Sequence, residues 1–210
     1  MDLGQQVGEF TAFAGNQRIE SGALEQVILK AKERIDAGET ERIAFFEDAT
    51  GVRVDIDFRG TPAEVLARLA AHPVLGKYRQ PVEKRVGPGR PKLGVVSREV
   101  SLLPRHWSWL AEQPSGASAA LRKLVEEAMK RSQGEDLVRK AREATHRFMW
   151  EMAGNLPGFE EASRALFAGE KNRFRAQTSD WPEDIQNHLA KLSTHAFEPT
   201  KQGATSASEA

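Results

Sequence analysis

Between Lys77 and Arg98 the chain carries Lys77, Arg79, Lys84, Arg85, Arg90, Lys92 and Arg98 against Glu83 alone. A segment this cationic is chemistry for an anion, and a phosphate backbone is the obvious class. At its centre lies Gly89-Arg90-Pro91-Lys92. Gly permits close approach of the backbone to a groove floor, and Pro holds the chain extended. Arg carries its charge into the narrow, negative minor groove of A·T-rich DNA. Arg90 is therefore the candidate groove residue. Lys84, Arg85, Lys92 and Arg98 are candidate phosphate contacts. The alternative is a stiff linker that needs charge to stay solvated. A second candidate anion site is the stretch Gly116-Ala117-Ser118, where a helix is expected to begin with free N–H groups.

These residues sit in a chain whose 30 Lys and Arg balance 30 Asp and Glu, so the zero net charge conceals the basic segment. There is no cysteine, which removes disulfides, thiol nucleophiles and Cys-based zinc sites. The five histidines are scattered. His188 and His195 are seven apart without an evident third ligand, so no metal and no cofactor is expected. Asp55 and Asp57 share a strand face, Glu47 and Asp48 sit across the hairpin, and such paired carboxylates could hold Mg²⁺ or do acid–base work. Arg53 and Arg59 flank Asp55 and Asp57 on that face, and a charge-balanced solvent face accounts for those four. No phosphate-binding glycine loop, nucleophile elbow or zinc-protease motif occurs, so the residues name no catalytic group. The N-terminus lacks a basic region followed by an apolar run, and no apolar run approaches the ~18–20 residues of a membrane span. A cytoplasmic protein without membrane contact is expected.

The elements that must position these residues read as α+β. Residues 1–72 form a small sheet-and-helix unit. Glu9–Ala14 is a strand ending at the Gly15-Asn16 turn. Leu24, Val27, Ile28, Ala31 and Ile35 make one stripe of a helix over 23–37, closed by Gly38. Arg42–Phe46 and the alternating Val52–Arg59 form a hairpin through Asp48-Ala49-Thr50-Gly51. Thr61-Pro62-Ala63-Glu64 is a capping box that opens the next helix. Residues 73–95, punctuated by Pro and Gly, are a basic linker. Residues 96–132 read as a strand followed by two helices, the second with Leu121, Leu124, Val125 and Ala128 on its apolar face. Residues 135–195 are a helical part whose last helix is capped by Asp180, with Glu183 three residues on. The tail 196–210 is small and polar and is expected to be disordered.

Two motif resemblances follow from these blocks. Gly89-Arg90-Pro91-Lys92 resembles the core of an AT-hook, although Pro88 stands where the usual core has a second Arg. The strand, the Pro104-started helix, the Gly-x-Ser cap and the Leu/Val-rich helix resemble a ribbon-helix-helix unit. That resemblance implies a homodimer whose paired strands enter the major groove. The strand departs from the usual phase, since Glu99 and Ser101 fall where apolar residues are usual. A packing or dimerisation hairpin is the competing reading of the same pattern. Over nearly the whole chain, the blocks FEDATGVRVDIDFRGTPAEVLARL (46–69), GRPKLGVVSREVSLLPRHWSWLAEQPSGASAALRKLVEEA (89–128), MAGNLPGFEEASRALFAGE (152–170) and WPEDIQNHLAKL (181–192) are similar to a bacterial family, domain of unknown function 2239. That resemblance implies no catalytic residue. The functional expectation is a DNA-binding or regulatory homodimer acting on A·T-rich duplex, or else a non-enzymatic protein-interaction module with a structural linker.

Overall fold

A computed structural model describes residues 8–79 and 96–199, and it divides the chain into two compact units. The first is formed by Met1–Val82 with Glu135–Ala210, and the second by Glu83–Gly134. The class is α+β with a helical C-terminal part, as the sequence implies.

The first unit is built on a four-stranded antiparallel sheet in the order β2-β1-β3-β4. Its strands are β1 (Glu9–Ala14), β2 (Gln17–Ala23), β3 (Ile43–Glu47) and β4 (Val52–Arg53). Both central strands are apolar at nearly every position, which is the signature of strands covered on both faces. The alternation of side chains then deals them to two separate cores. Phe10, Ala12 and Phe45 pack with α1 (Leu24–Asp36) and α2 (Pro62–Leu69), through Val27, Ile28 and Val65. Phe13, Ala44 and Phe46 pack on the other face against the C-terminal helices. Those helices are the end of α5 (Ala117–Ala153), α6 (Phe159–Ala168), α7 (Lys171–Thr178) and α8 (Glu183–Leu192). Trp181 is buried before α8, and its indole N–H donates to the Pro157 carbonyl at 2.8 Å.

Several local expectations hold in detail. The capping box at Thr61 and Glu64 is formed in both directions, which satisfies two otherwise orphaned donors at the start of α2. Others need correction. Beyond the Gly15-Asn16 turn the chain forms β2, which its sequence does not signal because Gln17–Ala23 mixes polar and small residues. Of the expected strand Val52–Arg59, the ladder with β3 covers Val52 and Arg53, and the Val54 N–H still donates to the Phe45 carbonyl at 2.7 Å. Beyond them the alternation still sorts the side chains, with Val54 buried and Ile56 and Phe58 packed on the core while Asp55 and Asp57 face solvent. The Asp55 and Asp57 carbonyls there meet His72 and Arg68 side chains in place of a neighbouring strand. Asp180 does not cap the last helix, whose N-cap is Pro182.

The second unit contains α4 (Pro104–Ala111) and the first part of α5, with α3 (Gly76–Arg79) lying before it in the first unit. Residues 96–103 carry no strand ladder, and Leu103 enters α4 in an extended conformation. The expected break between helices at 132–135 is also absent, and α5 runs through Gly134. A single Gly without Pro costs a helix about 1 kcal/mol and does not end it. Lys84, Arg85, Arg90 and Lys92 lie outside the described residues, as does most of the expected tail.

Candidate functional site

Of the residues nominated for nucleic-acid contact, the described ones are Arg98, Gly116 and Ser118, and all three are exposed. Gly116 adopts φ +75, a conformation that favours glycine, and its N–H donates to the Gln113 carbonyl at 2.9 Å. Ser118 accepts a hydrogen bond from the Arg122 guanidinium at 3.3 Å. The start of α5 is thus open to solvent, with Arg122 one turn above it.

The stronger feature of this unit is apolar. Val96, Val100 and Leu103 along the extended segment are at least half exposed, at 72, 56 and 51%. Trp107 and Trp109 on α4 are exposed, and so are Leu124, Val125 and Met129 on α5. Among the described residues of this unit the buried apolar side chains are Leu110 and Ala120. The stripe the sequence marks as an interior face of α5 is therefore largely on the surface. So many exposed apolar side chains in one segment are more than the scattered single ones of an ordinary surface and point to an interaction surface.

A second site lies in the first unit, where β1 and β3 end beside α8. The Phe46-facing side of the sheet brings Thr11 and Asp48 under α8, and α8 contributes His188 and Lys191. One oxygen of Asp48, Oδ2, accepts from Thr11 Oγ1 at 3.0 Å and from Lys191 Nζ at 2.8 Å. Lys191 Nζ also donates to Glu9 Oε2 at 2.8 Å and to Ser21 Oγ at 3.1 Å. Its three protons are thereby used. The other oxygen, Oδ1, has no hydrogen-bond partner and lies 3.7 Å from His188 Nε2, too far for a hydrogen bond.

Burial pushes the Asp48 carboxyl above the usual range, and Lys191 works against that rise. Burial also opposes the charge on Lys191, but hydrogen bonds to Asp48 and Glu9 prevail and hold it above its ordinary value. His188 is wedged between Phe13 and Phe148, with ring centroids at 5.5 and 4.5 Å. Burial, followed by the charges of Lys191 and Arg18, lowers it to about 3. His188 is thus neutral at physiological pH, and the Asp48–His188 approach is not an ion pair. On the opposite side of the sheet, Glu47 is buried and accepts from Tyr78 and from Thr50, the latter at 2.6 Å.

This cluster was only half legible. In the sequence Asp48 is a turn residue and one of four hairpin carboxylates, His188 is one of five dispersed histidines, and nothing marks Lys191. The usable signal was the stripe of α8, where His188 falls in register with Ile185, Leu189 and Leu192, all buried. The Asp55 and Asp57 pair, by contrast, is what the flanking arginines imply. Asp55 meets Arg53 at 2.9 Å, and Asp57 meets Arg59 at 2.8 Å, with Arg59 holding the Asp57 carboxyl well below the usual range. Among the described residues no group of three His, Asp or Glu could hold a metal ion. None of their helices is long and apolar enough to cross a membrane.

A doubly covered antiparallel sheet with a helical C-terminal part and a solvent-exposed apolar helical unit defines the class. The family DUF2239, described as an uncharacterized protein conserved in bacteria, matches residues 9–193, and the chain belongs to it. No curated protein and no solved structure matches the chain.

Proposed function

We propose that the protein is a DNA-associated regulatory homodimer. In this reading residues 96–129 pair between two copies, and the basic segment ending at Arg98 contacts A·T-rich duplex. The observation that carries the reading is the exposed apolar surface of the central unit, whose extended segment and helical stripe lack a core of their own. Pairing two copies would bury Val100, Leu124, Val125 and Met129 and would give residues 96–103 a ladder partner. The cations Lys84, Arg85, Arg90 and Lys92 then lie in the sequence directly before the paired segment and Arg98 within its start, doubled by symmetry. Arg90 is assigned to the minor groove and Lys84, Arg85, Lys92 and Arg98 to phosphates. The start of α5 at Gly116 and Ser118 is assigned to one further phosphate. Trp107 and Trp109 favour a second reading, a module that docks another protein, because exposed tryptophans are typical interface anchors.

Light scattering combined with anisotropy titration of labelled A·T-rich and G·C-rich duplexes tests both readings. The expected result is a dimer that becomes monomeric in the Val100→Asp/Met129→Asp variant. DNA affinity should fall steeply with salt, by a log–log slope of about −0.9 per phosphate neutralised. Arg90→Ala should abolish the preference for A·T-rich duplex. A monomer at ~50 μM that binds neither duplex at low salt would refute the proposal and leave the protein-docking reading.

A further inference from the structure

We propose that the cleft beside Asp48 and Lys191 is a binding site for a small zwitterion with an apolar body, of the kind of a free α-amino acid with an aliphatic or aromatic side chain. The cleft is broadly open to solvent and holds about 480 Å³, within the range of small-molecule sites of about 300–1,000 Å³. Its apolar wall comes from Leu137, Ala141 and Ala144 of α5 and Leu192 of α8. Four charged side chains face it: Glu9, Asp48, Lys140 and Lys191. Their formal charges cancel, so the cleft favours a ligand of no net charge.

The hydrogen bonds already made decide which charges remain to be used. Lys191 is saturated by Asp48, Glu9 and Ser21 and is a fixture of the wall. Lys140 has no ion-pair or hydrogen-bond partner among the described residues, so its ammonium is available to a carboxylate. Glu9 uses only Oε2 on Lys191 and keeps Oε1 for a donor, and its side chain is 60% exposed. Asp48 is a fixture of the wall as well: its Oδ2 is held by Thr11 and Lys191, and its buried Oδ1 lies beside His188, so Glu9 supplies the negative end of the cleft. One spare cation, one spare carboxylate oxygen and an apolar wall between the β1 end and α5 are the complement of an ammonium, a carboxylate and a hydrocarbon side chain. The ligand ammonium meets Glu9 on the side of Asp48, its carboxylate meets Lys140, and its side chain lies on Leu137, Ala141 and Leu192.

The site stands on observations separate from those behind DNA binding, and its test uses no DNA. Isothermal titration of the full-length protein with L-leucine and L-phenylalanine is the direct measurement. The expected result is saturable 1:1 binding by at least one of them below ~1 mM. The analogues lacking one charge, 4-methylpentanoate and 3-methylbutylamine, should bind at least about tenfold more weakly than leucine, since a hydrogen bond to a charged group accounts for about a tenfold factor or more. Lys140→Met should weaken leucine about tenfold and leave the amine unchanged, and Glu9→Gln should do the reverse for the acid. Lys140 is exposed and Glu9→Gln keeps an acceptor for Lys191, so both variants are expected to fold, with circular dichroism as the check. Absence of heat with every probe at 10 mM would overturn the site. So would an acid or amine binding as tightly as the amino acid, or affinities unmoved by both substitutions.

Discussion

Replacing Lys191 by Met isolates the electrostatics of the Asp48 cluster. Met keeps most of the aliphatic stem and removes the one cation bonded to a buried carboxylate. Breaking a fully buried pair by deleting one partner costs about 3–5 kcal/mol. Here Asp48 is buried but Lys191 is 38% exposed, so solvent screens part of the attraction and about 2–3 kcal/mol is expected at pH 7. The loss has a pH signature. Without Lys191 the Asp48 carboxyl rises further above its ordinary value of 3.8. A folded-state value above the unfolded one means that the folded protein binds the extra proton, so stability falls as pH rises through that interval. Protonating the carboxyl caps the penalty at about 1.4 kcal/mol per pH unit above its ordinary value, so the loss at pH 5 is held below about 1.6 kcal/mol. Urea unfolding followed by tryptophan fluorescence reads the effect. With a slope near ~2 kcal/mol/M the midpoint should drop by about 1 M at pH 7 and by less at pH 5. Adding Asp48→Asn to Lys191→Met should restore part of the loss, because a neutral amide needs no counter-ion. A loss below ~0.5 kcal/mol at pH 7, or one equal at both pH values, would refute this account of the cluster.

Two further perturbations test the packing around the site. Gly51 holds φ +65 in the β3–β4 turn, and a Cβ there would stand 2.0 Å from the Ala144 carbonyl oxygen, a backbone atom that cannot turn aside. Gly51→Ala should cost about 3 kcal/mol or more in chemical denaturation, while Gly38→Ala, at φ +95 in open space, should cost only the ~1–2 kcal/mol of the left-handed conformation. His188 presents the opposite pH sign to Asp48. Its folded value of about 3 lies below its ordinary 6.5, so the unfolded chain binds the extra proton and stability falls as pH falls from 6.5 toward 3. The stability difference between the native protein and His188→Leu should therefore shift against the native protein by about 2 kcal/mol between pH 7 and pH 5. A difference that does not change with pH would mean that His188 takes up its proton in the folded protein as readily as in the unfolded chain, and would refute its burial as a neutral ring.

Sequence alone determined what depends on neighbours along the chain. The capping box at Thr61, the apolar stripe of α1, the in–out order of Val54 to Phe58 and the neutralisation of Asp55 and Asp57 by adjacent arginines are all local consequences of residue type and spacing. The apolar character of Phe10–Ala14 and Ile43–Phe46 marked both as strands, while their burial on both faces emerged with the fold. Tertiary structure decided the rest, because it concerns partners far apart in the chain. Asp48, Lys191 and Thr11 meet only because α8 packs across the end of β1 and β3, a juxtaposition no spacing encodes. The same holds for the central stripe of Leu121, Leu124 and Val125. Periodicity shows that such a face wants to be covered, and in the folded chain Leu124 and Val125 are nevertheless exposed.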